Sequence, residues 1–266
     1  MKFGIFLIEI SPFWNLGFFY WNLKQLILTL MFQFKQFTIE QDRCAMKVGT
    51  DGVLLGAWTP IDHHPFSILD IGTGTGLLAL MLAQRSGAEH LDALEIDADA
   101  FEQAVENFEN SPWNDRLFCF HASLDDFMEE LQDEEYDLIV SNPPFYMETV
   151  SSGSEHRDRA RQNQSLPFED IMEAVGILLS ESGVLALIIP SKEEERIIDL
   201  ARENELYPFK ITHVQGTPTS PVKRSLLAFS REHRSLTTDS MVIELDRHHY
   251  TNAYRALTND FYLDKK

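Results

Sequence analysis

The sequence has few cysteines and little positive charge. Cys44 and Cys119 are its two thiols, and neither has a partner at CxxC spacing. A zinc knuckle and a disulfide framework are therefore not indicated, and two reduced thiols fit a cytoplasmic protein. No HExxH or H-x3-H spacing occurs. The nine histidines include the adjacent pairs His63-His64 and His248-His249, which we read as surface residues, and no metal is expected. The absence of GxxxxGK[ST] argues against a phosphate-cradling loop. Lys and Arg number 22 against 42 Asp and Glu, a net charge of −20 that favours solubility and argues weakly against a nucleic-acid partner.

The charge is uneven. Residues 1–150 hold 7 basic and 24 acidic side chains, whereas residues 151–266 hold 15 and 18. Between Lys210 and Arg234 lie Lys210, Lys223, Arg224, Arg231 and Arg234, with Glu232 the single acid. A polyanion would approach this second half. With 44% hydrophobic and 11% aromatic residues in 266, the chain is globular.

Residues 1–30 differ from the rest: apolar, aromatic and nearly uncharged, yet broken by Glu9, Pro12, Asn15 and Asn22. No small-residue cleavage site precedes Met31, and no run of about 20 apolar residues is long enough to span a bilayer. We read the stretch as an extension upstream of a natural start at Met31. The alternative is a membrane-surface anchor; stable membrane association is not expected. Residues 31–266 are expected to form one domain with a small N-terminal addition.

From Ser67 onward, strand and helix patterns alternate. Strands are expected at 67–71, 90–96, 117–121, 137–140 and 183–189, with helices at 77–85, 99–109, 168–179 and 192–204. Such alternation means βαβ units and a mostly parallel sheet. Two last strands, 209–214 and 225–229, lack an intervening helix and are expected as an antiparallel hairpin at one edge. In such sheets ligands bind beyond the carboxyl ends of the strands. Three features fall at such ends.

The first is LDIGTGTG, Leu69 to Gly76, whose glycines at 72, 74 and 76 permit unusual backbone angles and close approach to a ligand. Leu77 stands where a dinucleotide fingerprint would need a third glycine. The second is Glu95, 19 residues after Gly76, at a spacing suited to the two ribose hydroxyls of a nucleoside cofactor, with Asp97 a competing candidate. The third is SNPPFY, Ser141 to Tyr146. Two prolines fix two φ angles and remove two donors, holding Asn142 stiffly next to Phe145.

DIGTGTG, LEID and SNPPFY in this order resemble the class I methyltransferases. That resemblance implies a Rossmann-like α/β fold, a seven-stranded mostly parallel sheet with one antiparallel strand and helices on both faces, and S-adenosyl-L-methionine as cofactor. It implies that Asp70, Gly72 and Gly74 surround the methionine part and Glu95 holds the ribose. Residues of HASLDDF would line the adenine, with Ser123 where the family commonly has an acid and Asp125 as a substitute.

The NPPF form, Asn142-Pro143-Pro144-Phe145, resembles methyltransferases acting on a planar NH2 group. The lone pair of such a nitrogen is delocalised and poorly nucleophilic. Asn142 Oδ1 and the Pro143 carbonyl would accept its two N–H bonds and stabilise positive charge as the methyl transfers, while Phe145 stacks on the ring. FKQFTIEQDRCAMKVGTDGVLLGAW, Phe34 to Trp58, and the ending YTNAYRALTNDFYL narrow the resemblance to bacterial tRNA adenine-N6 methyltransferases that modify adenosine 37 of a valine tRNA. By that likeness Lys47, Thr50 and Asp51 lie near the cofactor's open side, and tRNA is the partner. Arg157, Arg159 and Arg161, with the basic region of Lys210, Lys223, Arg224, Arg231 and Arg234, would meet its backbone, Arg157, Arg161, Lys223 and Arg224 foremost. The nearest rival is a protein-(glutamine-N5) methyltransferase acting on a release factor, whose motif usually ends in Tyr. A DNA adenine methyltransferase and a non-catalytic cofactor-binding protein are further alternatives.

Overall fold

The short apolar runs expected as strands from Ser67 onward are strands in the structure, a computed structural model that describes residues 31–130, 134–144 and 166–263. Phe145, Arg157, Arg159 and Arg161 lie outside these residues. A hairpin of β1 (Met31–Gln33) and β2 (Thr38–Glu40) comes first. The main sheet contains β3 (Ser67–Ile71), β4 (His90–Glu95), β5 (Leu117–His121), β6 (Tyr136–Ser141), β7 (Leu179–Pro190), β8 (Tyr207–Gln215), β9 (Val222–Ser230) and β10 (Thr237–Val242). A small pair, β11 (Glu244–Asp246) and β12 (His249–Tyr250), follows.

The spatial order is β10-β8-β9-β7-β6-β3-β4-β5. β9 is antiparallel to both neighbours and every other pairing is parallel, so the expected single reversed strand is present. The sheet has eight strands, not seven, and the β8–β9 hairpin is not at its edge. β10 pairs in parallel with β8 and forms that edge. Its sequence, TTDSMV, is largely exposed and polar, so it carries no apolar signal.

Alternation along the strands separates two cores. Ile68, Leu138, Val140, Ala186, Ile188, Leu226 and Ala228 face one, against α1 (Thr50–Trp58) and α2 (Leu77–Arg85). Leu69, Ile71, Ile139, Leu187, Ile189, Leu227 and Phe229 face the other, against α5 (Phe168–Leu178) and α6 (Glu194–Glu203). Helix α1 approaches α2 closely at two glycines. A Cβ on Gly52 would sit 2.9 Å from Leu77 Cδ2, and one on Gly56 would sit 2.7 Å from Met81 Sδ. Helix α3 (Ala98–Glu109) is started by Asp97, whose side chain accepts from Ala100 N. Helices α4 (Leu124–Glu130) and α7 (Asn252–Thr258) complete the set. The N-terminal hairpin is fastened to the chain's last turn: Lys35 N donates to Phe261 O at 2.8 Å, and Phe34 stacks on Tyr262.

β3 lies between β4 on one side and β6 on the other, so the strand order reverses there and a crevice opens beyond the ends of β3 and β6. The glycine loop and Asn142 both fall at this point.

Candidate active site

The glycine loop leaves β3 in three left-handed steps, with φ of 74° at Gly72, 58° at Gly74 and 81° at Gly76. L side chains rarely adopt these angles. The bends turn the loop's amides toward β4. Gly72 N and Thr73 N both donate to Leu94 O, and Gly74 N donates to Glu95 Oε2 at 2.8 Å. Gly76 packs on the Phe108 ring, where a Cβ would meet Cε1 at 2.5 Å. A Cβ on Gly74 would meet nothing within 4 Å, so the crevice in front of the loop is open.

Behind the loop, Asp70 is fully buried. Its Oδ2 accepts from Thr73 Oγ1 at 2.5 Å and from Ala79 N at 3.3 Å, while Oδ1 has no hydrogen-bond partner among the described residues. Burial pushes its carboxyl up to about 7, against the pull of those two donors. Glu95 is also nearly enclosed, with Oε1 accepting from Asp97 N at 2.9 Å. Each carboxylate oxygen offers two acceptor sites, so Glu95 can still receive hydroxyl donors. The sequence competitor, Asp97, is engaged as the α3 cap.

The two residues expected beside the adenine lie at the start of α4. Ser123 Oγ donates to Asp126 Oδ2 at 2.6 Å and accepts from Asp126 N at 3.1 Å, which makes it the start signal of α4. Asp125 is exposed.

At the end of β6, Ser141 Oγ donates to Ile71 O at 2.7 Å and locks the strand end beside β3. Asn142 follows, half-buried, then buried Pro143 and half-buried Pro144. Asn142 Nδ2 lies 3.8 Å from the position of a Cβ on Gly52, so its amide faces the start of α1. Leu166 comes within 3.7 Å of the Cβ position on Gly72. Thr50 and Lys47 are exposed at the same helix start. The Asp51 carboxylate is held by β9: Oδ2 accepts from Arg224 Nε at 2.7 Å.

The basic cluster divides. Arg224 pairs in register with Pro190, at the carboxyl end of β7, with exposed Lys223 beside it. Arg231 follows the far end of β9, and its guanidinium donates to the carbonyls of Gly176 and Leu179. Arg234 bonds Glu232 and lies over Phe209. Lys210 sits 4.5 Å over the Trp58 ring, where burial pushes its ammonium down. Of the five, only Lys223 and Arg224 stand at the crevice end of the sheet.

Sequence reasoning missed a strap across α3. Asn107 Oδ1 accepts from Glu40 N at 2.8 Å, and its Nδ2 donates to Glu40 O at 2.9 Å and to Thr75 O at 2.8 Å. Gln103 Oε1 accepts from Arg43 N, and Arg43 bonds Glu106 at 2.8 Å. Cys44, pushed up to about 12 by burial and by the charges of Glu95, Asp97 and Asp42, lies against the acidic end of β4. The available signal was two amide side chains, Gln103 and Asn107, on the buried face of an otherwise apolar helix stripe.

An open glycine loop, an unpartnered buried carboxylate oxygen and a braced Glu95 fit the methionine and ribose parts of S-adenosylmethionine. This sheet and site define a class I methyltransferase, and the methyltransferase small domain family matches residues 59–158. The fold is shared with a predicted O-methyltransferase from Agrobacterium tumefaciens, with TM-score 0.62 and 22% identity over 79% of this chain and 96% of that one. It is also shared with a type I restriction-modification methyltransferase subunit from Streptococcus thermophilus, with TM-score 0.55 and 15% identity over 79% and 50%. Curated relatives are much nearer. A tRNA1(Val) (adenine(37)-N6)-methyltransferase of Flavobacterium psychrophilum is 65% identical over 88% of this chain and 99% of its own length. Those of Christiangramia forsetii and Pectobacterium carotovorum are 58% and 41% identical over 87% of this chain, and 97% and 93% of their own. The chain belongs to the tRNA1(Val) (adenine(37)-N6)-methyltransferase family. Among the described residues, no helix is long and apolar enough to cross a membrane.

Proposed function

We propose that this enzyme, working in the cytoplasm, transfers a methyl group from S-adenosyl-L-methionine to N6 of adenosine 37 in the anticodon loop of tRNA1(Val). The observation that carries the reading is Asn142, held at the end of β6 between the open glycine loop and the start of α1. The names of relatives 41–65% identical support the substrate.

Asp70, Gly72 and Gly74 would hold the methionine part of the cofactor, Glu95 its ribose, and the segment around Ser123 its adenine. When bound, the cofactor supplies a methyl group on a positively charged sulfur. The protein's own contribution is to the amine. Asn142 Oδ1 and the Pro143 carbonyl accept its two N–H bonds, which localises the lone pair and offsets the positive charge that develops on nitrogen. Because the two prolines fix the backbone, these acceptors need little reorganisation. The extra proton leaves to water after transfer, so no strong base is needed. Phe145 stacks on an adenine splayed out of the loop. Lys223 and Arg224 at the crevice edge, with Arg157 and Arg161, bind the RNA backbone.

The test is labelled S-adenosylmethionine offered with total bacterial tRNA, a release factor and duplex DNA, followed by digestion and mass identification. N6-methyladenosine in tRNA alone, lost when position 37 of tRNA1(Val) is replaced, is the expected result. Label in the release factor would move the same amine chemistry to a glutamine amide and sink the tRNA reading.

A further inference from the structure

Strand β9 begins at the crevice, and its first residues are held from both faces of the sheet. On the α1 face, Arg224 Nε donates to Asp51 Oδ2 at 2.7 Å. On the α6 face, Ser225 Oγ donates to Glu194, whose Oε2 also lies 3.0 Å from His213 Nε2 on β8. The turn between the strands is braced as well, with Thr217 N on Ser220 Oγ at 2.9 Å and Gln215 Nε2 on Ser220 O at 2.8 Å. The tip that carries Lys223 and Arg224 is therefore fixed relative to β7.

Asp51 is the residue before Gly52, and Gly52 is where the Asn142 amide meets α1. Arg224 is in register with Pro190 on β7, which neighbours β6. Two strand spacings separate β9 from β6, about 10 Å. A nucleotide that enters base first toward Asn142 leaves its phosphate outside at a distance of this order. Asp51 and Arg224 are each about a third exposed, at 31% and 32%, so solvent weakens the pair as a source of stability. As an aiming device it needs no large energy. Arg224 Nε is engaged by Asp51 and Nη1 donates to Lys223 O at 3.1 Å, and a guanidinium with five donors can add a phosphate to these partners in fixed relative orientation.

We propose that Asp51 is a positioning residue for the RNA and not a cofactor ligand: its carboxylate aims the Arg224 guanidinium at the phosphate of the target nucleotide, and α1 sets that phosphate relative to Asn142. The inference rests on the tRNA reading above and adds the pair that fixes the nucleotide's depth. In a chain of net charge −20, a cation held at one angle beside the crevice also gives the phosphate a defined landing point.

The test uses the full chain with tRNA1(Val) and four variants: Asp51→Asn, Arg224→Gln, the two together, and the reversed pair Asp51→Arg with Arg224→Asp. Steady-state kinetics are read alongside cofactor affinity by calorimetry. Asp51→Asn is expected to raise KM for tRNA about tenfold, with kcat within about threefold and cofactor Kd within about twofold. The double variant is expected to be no worse than Arg224→Gln alone, because Asp51 acts through Arg224. The reversed pair restores the ion pair and not the KM. Three results would each overturn the inference: cofactor affinity falling as far as tRNA affinity in Asp51→Asn, single effects that multiply in the double variant, or a reversed pair that recovers the KM. A wild-type enzyme that methylates no tRNA overturns the tRNA reading itself; an active wild type with any of those three results overturns only the role of Asp51.

Discussion

Asp70 is a charge kept where it is costly, and replacing it with asparagine measures that cost. Its carboxyl rises from 3.8 to about 7 on folding. A group with a raised folded pKa holds its proton longer in the native state than in the unfolded chain. Stability from Asp70 is therefore full below about pH 4, falls as pH climbs, and is lost above about pH 7. At about 1.4 kcal/mol per pH unit the loss amounts to about 4 kcal/mol. Asp70→Asn fits the same space. Its oxygen can accept from Thr73 Oγ1 and Ala79 N as Oδ2 does, and its amide nitrogen replaces the unpartnered Oδ1. Without ligand at pH 8, the variant is expected to be more stable than wild type by at least about 1 kcal/mol, seen as a melting temperature higher by about 2–4 °C. Its stability from pH 5 to 7 should lose most of the wild-type slope. Its affinity for the cofactor should fall at least tenfold, since the unpartnered carboxylate oxygen behind the glycine loop is gone. The assay is urea unfolding at several pH values, paired with calorimetric titration of the cofactor. A variant less stable at pH 8 with an unchanged pH slope would refute the reasoning, because Asp70 would then not be a strained charge.

Asn142→Ala removes one acceptor of the reacting amine, and kcat is expected to drop about 100-fold or more while cofactor Kd stays within about threefold in calorimetry; equal losses would exclude this role. Gly76→Ala forces a Cβ into the Phe108 ring at 2.5 Å and a left-handed φ of 81°, and should destabilise the fold by about 2 kcal/mol or more in chemical denaturation. Lys223→Ala should weaken tRNA binding and reduce the slope of log K against log salt by about 1, without changing melting temperature. Arg231→Ala should do the opposite, lowering stability through its lost bonds to Gly176 and Leu179 while leaving the salt slope intact.

The strands and helices expected between Ser67 and Val140 were legible because each has a strong period and a glycine or polar stop. Ser67–Ile71, Leu77–Arg85 and Leu117–His121 agree with the expected bounds residue for residue. The reversed strand was legible from a missing helix. Hidden from the sequence were β10, a largely exposed polar edge strand, the short α4, with only Leu124 and Phe127 buried, and α1, whose buried residues surround it and leave little periodicity. The site was legible as motifs at strand ends, since the crevice follows from topology. The uses of its charged groups were not. Asp51 and Arg224 are 173 residues apart, and nothing local marks them as partners. Lys210, Arg231 and Arg234 looked equivalent to Lys223 and Arg224, yet Arg231 and Arg234 follow a strand that runs against its neighbours and Lys210 comes early in β8, so all three fall toward the other end of the sheet.

Asn107 joins the N-terminal hairpin, through Glu40, to the glycine loop, through the Thr75 carbonyl. Fraying of one segment therefore draws on the same bonds as loosening of the other, and the two share part of one opening free energy. A ligand that quiets the glycine loop should slow amide hydrogen exchange at Glu40, well before that loop in the chain. The hairpin becomes a remote reporter of cofactor occupancy, and a slipped hairpin becomes a way to empty the pocket without touching it.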